Sequence, residues 1–98
     1  MNITKVRDAS ALTVALEGRL DTVTAPTLEA ELKKECNDIT SLILDFEKLE
    51  YLSSAGLRVL LSAQKVMSRK DGMKILHVND IIMDIFEVTG FSEILTIE

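Results

Sequence analysis

The groups with usable chemistry in this chain are few, and two of them are adjacent. Ser53 and Ser54 stand between an apolar run ending at Leu52 and the helical pattern of "AGLRVLLSAQ". A hydroxyl in a first helical turn is accessible, and a phosphate attached there meets free backbone amides and the positive end of the helix dipole. That modification adds about −1.5 to −2 charge units at neutral pH, enough to alter a docking surface while leaving the fold intact. Serine is also a preferred N-cap, an effect of about 1 kcal/mol. Ser53 fits the capping role, which leaves Ser54 at the first helical position with no structural task. Ala55 and Gly56 are small enough for a partner to approach the hydroxyls closely, and Leu57 begins the apolar face of the helix.

Ser54, His77 and Asp45 have the residue types of a nucleophile, a base and an orienting acid. The sequence lacks the G-x-S-x-G elbow, however, and "LSSAG" has no glycine two residues before either serine. A single histidine ending an apolar strand is more often a polar end-group than a base, so no catalytic residue is assigned. One cysteine and one histidine leave no CxxC or HxxxH spacing, so no metal site and no cofactor are expected. Cys36 cannot form an intramolecular disulfide and reads as a small hydrophobe near a helix end.

Eleven Lys and Arg against sixteen Asp and Glu give a net charge of −5. The basic residues are scattered, whereas phosphate-backbone binding needs them clustered, so nucleic acid is not an expected partner. No charged-then-apolar leader pattern and no membrane-length apolar run occurs. A soluble cytoplasmic protein with no membrane association is the expectation.

The elements that position these groups follow from periodicity. "NITKVRD" and "ALTVALEG" read as an antiparallel hairpin. Leu28, Leu32 and Cys36 recur at helical spacing, with Thr24 as expected N-cap and Pro26 tolerated in the first turn. "SLILDF", residues 41–46, reads as a strand covered on both faces. The next helix carries Leu57, Leu60, Leu61, Gln64 and Met67 on one stripe, with Arg69 and Lys70 in its last turn and Gly72 as its stop. "MKILHV" is a further buried strand, "NDIIMDIFEVTG" a helix capped by Asn79 and stopped by Gly90, and "EILTI" a last strand. Met67, Met73, Met83 and Phe86 read as core packing, and Arg58, Lys65 and Arg69 as a solvated helix face.

The order β-β-α-β-α-β-α-β over residues 1–98 predicts one α/β domain with a mixed, mainly parallel sheet packed with helices. The C-terminal ends of its strands form a rim expected to gather Asp21, Asp45, Ser53, Ser54 and His77.

Three segments carry a family resemblance: "LEGRLDTVTAPTLEAEL", "LILDFEKLEYLSSAGLRVLL" and "MKILHVNDIIMDIFEVTGFSEILTI". Together they resemble the STAS domain of anti-sigma-factor antagonists over nearly the whole chain. The most specific part is a D-S-S-G-L-type motif, here Ser53-Ser54-Ala55-Gly56-Leu57. The G-x-L-D segment from Gly18 to Asp21 and the "TGF" of residues 89–91 support it.

The resemblance implies a bacterial partner switch. Its unphosphorylated form binds an anti-sigma factor that is also a serine kinase, phosphorylation switches it off, and a PP2C-like phosphatase restores it. Ser54 aligns with the phosphoacceptor, with Ser53 as the alternative, because Ser53 replaces the usual acidic residue and Ala55 the usual second serine. Asp21 aligns with the acidic residue beside the acceptor. The partner-binding rim is expected to comprise Asp21, Thr22, Ser53, Ala55, Gly56 and Arg58. Two other readings stand beside this one: a module that holds an anionic small ligand at the helix start, and a non-phosphorylated structural subunit of a signalling or transport complex.

Overall fold

The computed structural model describes residues 1–98. Strands β1 (Asn2–Asp8) and β2 (Ala11–Leu20) are followed by α1 (Ala25–Glu35), β3 (Ser41–Leu52) and α2 (Ser54–Met67). Then come β4 (Gly72–Leu76), α3 (Asp80–Thr89), a 3-10 turn (Phe91–Glu93) and β5 (Thr96–Ile97). The sheet order is β1-β2-β3-β4-β5, with β1 antiparallel to β2 and every later pairing parallel. This is the mixed, mainly parallel α/β sheet that the sequence order predicts.

The period-2 patterns decide which face is buried. Leu12, Val14 and Leu16 of β2, Leu42, Leu44 and Phe46 of β3, and Met73 and Ile75 of β4 point to one side. They share one apolar core with Leu28 and Leu32 of α1, Leu57, Leu60 and Met67 of α2, and Ile82 and Phe86 of α3. On the other face Ala11, Thr13, Ala15, Ser41, Ile43 and Asp45 are only half-buried and Lys74 is exposed, so all three helices cover a single face. "SLILDF" is therefore not covered on both faces. Only Ile43 fills an outward position with a large apolar group, and that one residue makes an alternating strand read as a continuous run.

β3 extends six residues past Phe46. Its partners step from Asp45↔Ala15 to Lys48↔Glu17, and from Leu49↔Gly18 to Tyr51↔Arg19, so β3 carries one extra residue at each of two bulges. The inward residues are consequently Phe46, Leu49 and Leu52, spaced by three, which conceals the strand from a period-2 reading.

α2 ends earlier than expected. Its C-cap is Ser68 and its last turn carries only Lys65; Arg69 and Lys70 lie beyond the helix. Lys70 instead donates to the carbonyls of Cys36 and Ile39, the latter at 2.8 Å, tying down the chain that leaves α1. Gly72, with φ +102°, opens β4 and does not stop the helix. β4 stops at Leu76, because His77 adopts φ +59° and turns the chain out of the sheet. α3 starts and ends as expected: the Asn79 side chain accepts from the Ile82 amide at 2.8 Å and Gly90 is left-handed. The last strand shrinks to Thr96 and Ile97 because Phe91–Glu93 forms the 3-10 turn.

Candidate functional site

The edge where β2 and β3 end together is fixed by the Leu20↔Leu52 pair. Beyond it the Ser53 amide donates to the Leu20 carbonyl at 2.9 Å. This bond places Asp21 just past one of its ends and Ser54 just past the other. Ser53 is extended (φ −94°, ψ 174°), its hydroxyl accepts from the Gly56 amide at 3.4 Å, and its carbonyl accepts from the Leu57 amide at 3.0 Å. Ser53 is thus the N-cap of α2, as the sequence predicts.

Ser54 is the first residue of α2 and is exposed. Its hydroxyl has no hydrogen-bond partner in the protein, next to helix amides that the intrahelical ladder leaves free. Arg58, four residues on, is exposed on the same helix face.

Gly56 and Ala55 serve differently from the expectation that both face a partner. Gly56 is buried, and a Cβ there would lie 2.6 Å from Leu52 Cδ1 and 2.8 Å from Leu20 Cγ. The glycine lets the start of α2 press onto the strand ends, and this contact holds Ser54 at the edge. Ala55 is half-buried and packs against the core.

The loop before α1 is closed on itself. Asp21 Oδ1 accepts from the amides of Val23 at 3.0 Å and Thr24 at 3.1 Å. Thr24 Oγ1 accepts from the Asp21 amide and donates to the Arg19 carbonyl, each at 2.8 Å. Thr24 occupies the N-cap position but makes no capping bond; its hydroxyl braces the loop, and the Asp21 carbonyl accepts from Ala25 at 2.8 Å. The Thr24 amide lowers the Asp21 carboxyl below the ordinary carboxylate range, with burial opposing it and the Val23 amide adding to it. The turn leaves Thr22 exposed and Val23 83% exposed. Val23 was not singled out from the sequence, although an apolar β-branched residue inside the polar "DTVTAP" is a visible signal. Arg19 lies over the Tyr51 ring, 4.5 Å from its centroid, and flanks the same edge.

Asp45 and His77 do not belong to this edge. Asp45 pairs with Ala15 and Leu52 pairs with Leu20, so the two levels differ by five β2 residues, about 17 Å along the strand. The strand ends therefore do not form one rim, and Ser54 is not assembled with His77 and Asp45 into a triad. The expectation failed because the bulged extension of β3 was invisible, which made β3 and β4 seem to end at the same height. His77 Nδ1 lies 2.8 Å from Asp45 Oδ1, which also accepts from the Glu47 amide at 3.0 Å. Burial pushes the Asp45 carboxyl up, but the His77 bond and the Glu47 amide together leave it below its ordinary value. The same bond raises the His77 imidazole above its ordinary value.

Among the surface depressions, two lie against these elements. One, about 90 Å³, lies between α1 and α2 and is lined by Leu32, Cys36, Val59 and Ala63 among others. The other, about 390 Å³, lies on the open sheet face beside Glu17, Asp45, Glu47 and Lys48. Three carboxylates against one ammonium make the larger one unsuited to an anion. No helix is long and apolar enough to cross a membrane.

Comparison with known proteins agrees with this fold. Residues 2–98 match the STAS domain profile. BtrV of Bordetella bronchiseptica is 31% identical over 99 residues, covering 99% of this chain and 85% of that one. The anti-sigma-B factor antagonist of Staphylococcus aureus is 30% identical over 97 residues, covering 97% and 90%. Among solved structures, the anti-sigma factor antagonist SpoIIAA in its unphosphorylated form superposes with a TM-score of 0.85 at 17% identity, covering 99% and 88%. Bacillus SpoIIAA in the phosphorylated form gives 0.77, also at 17%, covering 99% and 91%. At such identities the likeness is one of fold.

Proposed function

The chain belongs to the STAS domain family, and from that premise we propose that it is an anti-sigma-factor antagonist, a cytoplasmic partner-switching protein controlled at Ser54. The observation that carries the assignment to this serine is the contrast at the start of α2. The Ser53 hydroxyl is engaged by the Gly56 amide, while the exposed Ser54 hydroxyl is engaged by nothing.

The unmodified edge, formed by the Asp21–Thr24 loop, Ser54 and Arg58, docks an anti-sigma factor that is also a serine kinase. Val23 supplies an exposed apolar contact within it. The kinase brings ATP, metal and catalysis: Ser54 Oγ attacks the γ-phosphorus, ADP leaves, and the hydroxyl proton passes to the kinase's base. This chain contributes the acceptor and its presentation, and a PP2C-like phosphatase removes the phosphate.

Phosphorylation turns binding off through charge and bulk. It adds about −1.5 to −2 units at an edge where Asp21 is already held ionised, and a partner surface complementary to one anion then faces two. Arg58 and the free amides of the first turn of α2 accommodate the phosphate locally, so the fold is kept. That SpoIIAA is known in both forms supports this reading.

The test is incubation with the serine-kinase anti-sigma factor of the same genome and ATP, followed by intact mass and a binding measurement. A single phosphate that disappears in Ser54→Ala but not in Ser53→Ala, together with loss of binding on modification, is expected. An adduct that disappears only in Ser53→Ala would move the acceptor. No adduct with any serine kinase of that genome would overturn the switch.

A further inference from the structure

A second cluster lies on the open face of the sheet, away from the edge used by Ser54. One ligating atom each from Asp45, Glu47 and His77 lie within 4.8 Å of one another. They come from two strands: Asp45 and Glu47 flank the first bulge of β3, and His77 follows β4, whose Leu76 pairs with Asp45. The residues are 32 apart in the chain at the Asp45–His77 contact, so no sequence spacing reveals them. We propose that Asp45, Glu47 and His77 form a binding site for one borderline-soft divalent cation, best matched by zinc.

The donor set decides the class of ion. One imidazole nitrogen and two carboxylates suit zinc and its first-row neighbours, whereas magnesium and calcium favour oxygen donors alone and more of them. Ligands about 2.1 Å from a tetrahedral zinc stand about 3.4 Å from one another. His77 Nδ1 and Asp45 Oδ1 are already 2.8 Å apart, and the exposed Glu47 side chain needs to move in by little more than an ångström. The ion takes the place of the hydrogen shared between Nδ1 and Oδ1, and the imidazole keeps its proton on Nε2.

Charge and access point the same way. Lys48, the neighbouring ammonium, is directed to Glu17 at 3.8 Å, so with a neutral imidazole the trio carries two negative charges and no paired cation. The depression of about 390 Å³ beside Asp45 and Glu47 is open to water, which supplies the fourth ligand. Three protein ligands and one open position are the pattern of a site that exchanges water. Asp45 is anchored in the β2–β3–β4 ladder and His77 is already hydrogen-bonded to it, so these two ligands need only part by about half an ångström to admit the ion.

The experiment is calorimetric titration of the intact, unphosphorylated chain with zinc chloride in excess magnesium, with cobalt(II) absorption as a second readout. One zinc per chain is expected, together with tetrahedral cobalt bands and a shift of the His77 ring resonances. Asp45→Asn and His77→Ala should each weaken binding at least about tenfold, and Glu47→Gln, at an exposed position, serves as the variant least able to disturb folding. Cys36→Ser and Ser54→Ala should leave affinity unchanged. The proposal is overturned by the absence of saturable binding at millimolar zinc, by equal affinity in the Asp45→Asn/His77→Ala double variant, or by loss of binding in Cys36→Ser alone.

Discussion

The two helices that start at the C-terminal edge of β2 and β3 treat their polar side chains in opposite ways. Before α1, Asp21 Oδ1 accepts two amides, and Thr24 Oγ1 both accepts and donates. Before α2, Ser53 makes one long bond of 3.4 Å and Ser54 none. Both starts lie on the same edge and both are rich in oxygen. The difference separates groups that hold the backbone from a group left available for reaction: Asp21 is a brace that also supplies charge, and Ser54 is free to serve as the acceptor proposed above.

The comparison depends first on the packing that keeps α2 against the strands. Gly56→Ala forces a methyl to within 3 Å of Leu52 and Leu20, and overpacking of this kind costs about 1–3 kcal/mol. Urea unfolding should show a larger loss of stability for this substitution than for any at Asp21, Ser53 or Ser54. Phosphate incorporation at Ser54 should also slow, because the acceptor moves with the helix start. If Gly56→Ala were neutral, α2 would not be seated by this contact, and the fixed placement of Ser54 would need another cause.

Next in size is the α1 loop. Asp21→Ala removes the acceptor of two amides and should destabilise more than Ser53→Ala, which removes one long bond and costs at most about 1 kcal/mol. The Asp21 contribution also has a sign in pH. Its folded pKa is depressed, so the stabilisation is fully present above the unfolded value of about 4 and is lost as pH falls through the lower folded value. The stability gap between wild type and Asp21→Ala should therefore be full at neutral pH and close in acid. A gap that stays constant down to acid pH would mean that the loop does not hold the ionised carboxylate.

Much of this was legible in the residues, and the failures have physical causes. The alternating Leu12, Val14 and Leu16 and the Asn79 and Gly90 boundaries of α3 state their elements plainly. So does Ser53, whose cap follows from residue type and position alone. The second half of β3 was hidden because two bulges turn the inward spacing from two to three at Phe46, Leu49 and Leu52. That concealment is why Asp45 and His77 were grouped with Ser54 when they lie about 17 Å back along the sheet. Lys70 looked like a helix-dipole partner for α2, and only the tertiary fold shows it reaching the carbonyls that follow α1. Gly56 was recognised as a motif position, but its reason, the close approach to Leu20 and Leu52, depends on residues that are distant in sequence.

The smallest expected change in stability is the most discriminating. Ser54→Ala removes a hydroxyl that is exposed and bonded to nothing in the protein, so unfolding free energy should shift by no more than about 0.5 kcal/mol. A large loss would show that the hydroxyl does structural work and would erase the contrast with Ser53. The same variant should reduce phosphate incorporation to background while still binding the anti-sigma factor, because the unmodified edge keeps its shape and charge. A side chain whose removal leaves folding and docking intact but abolishes modification has one role left, that of acceptor. Urea unfolding, intact mass and a pull-down on one protein preparation decide it together.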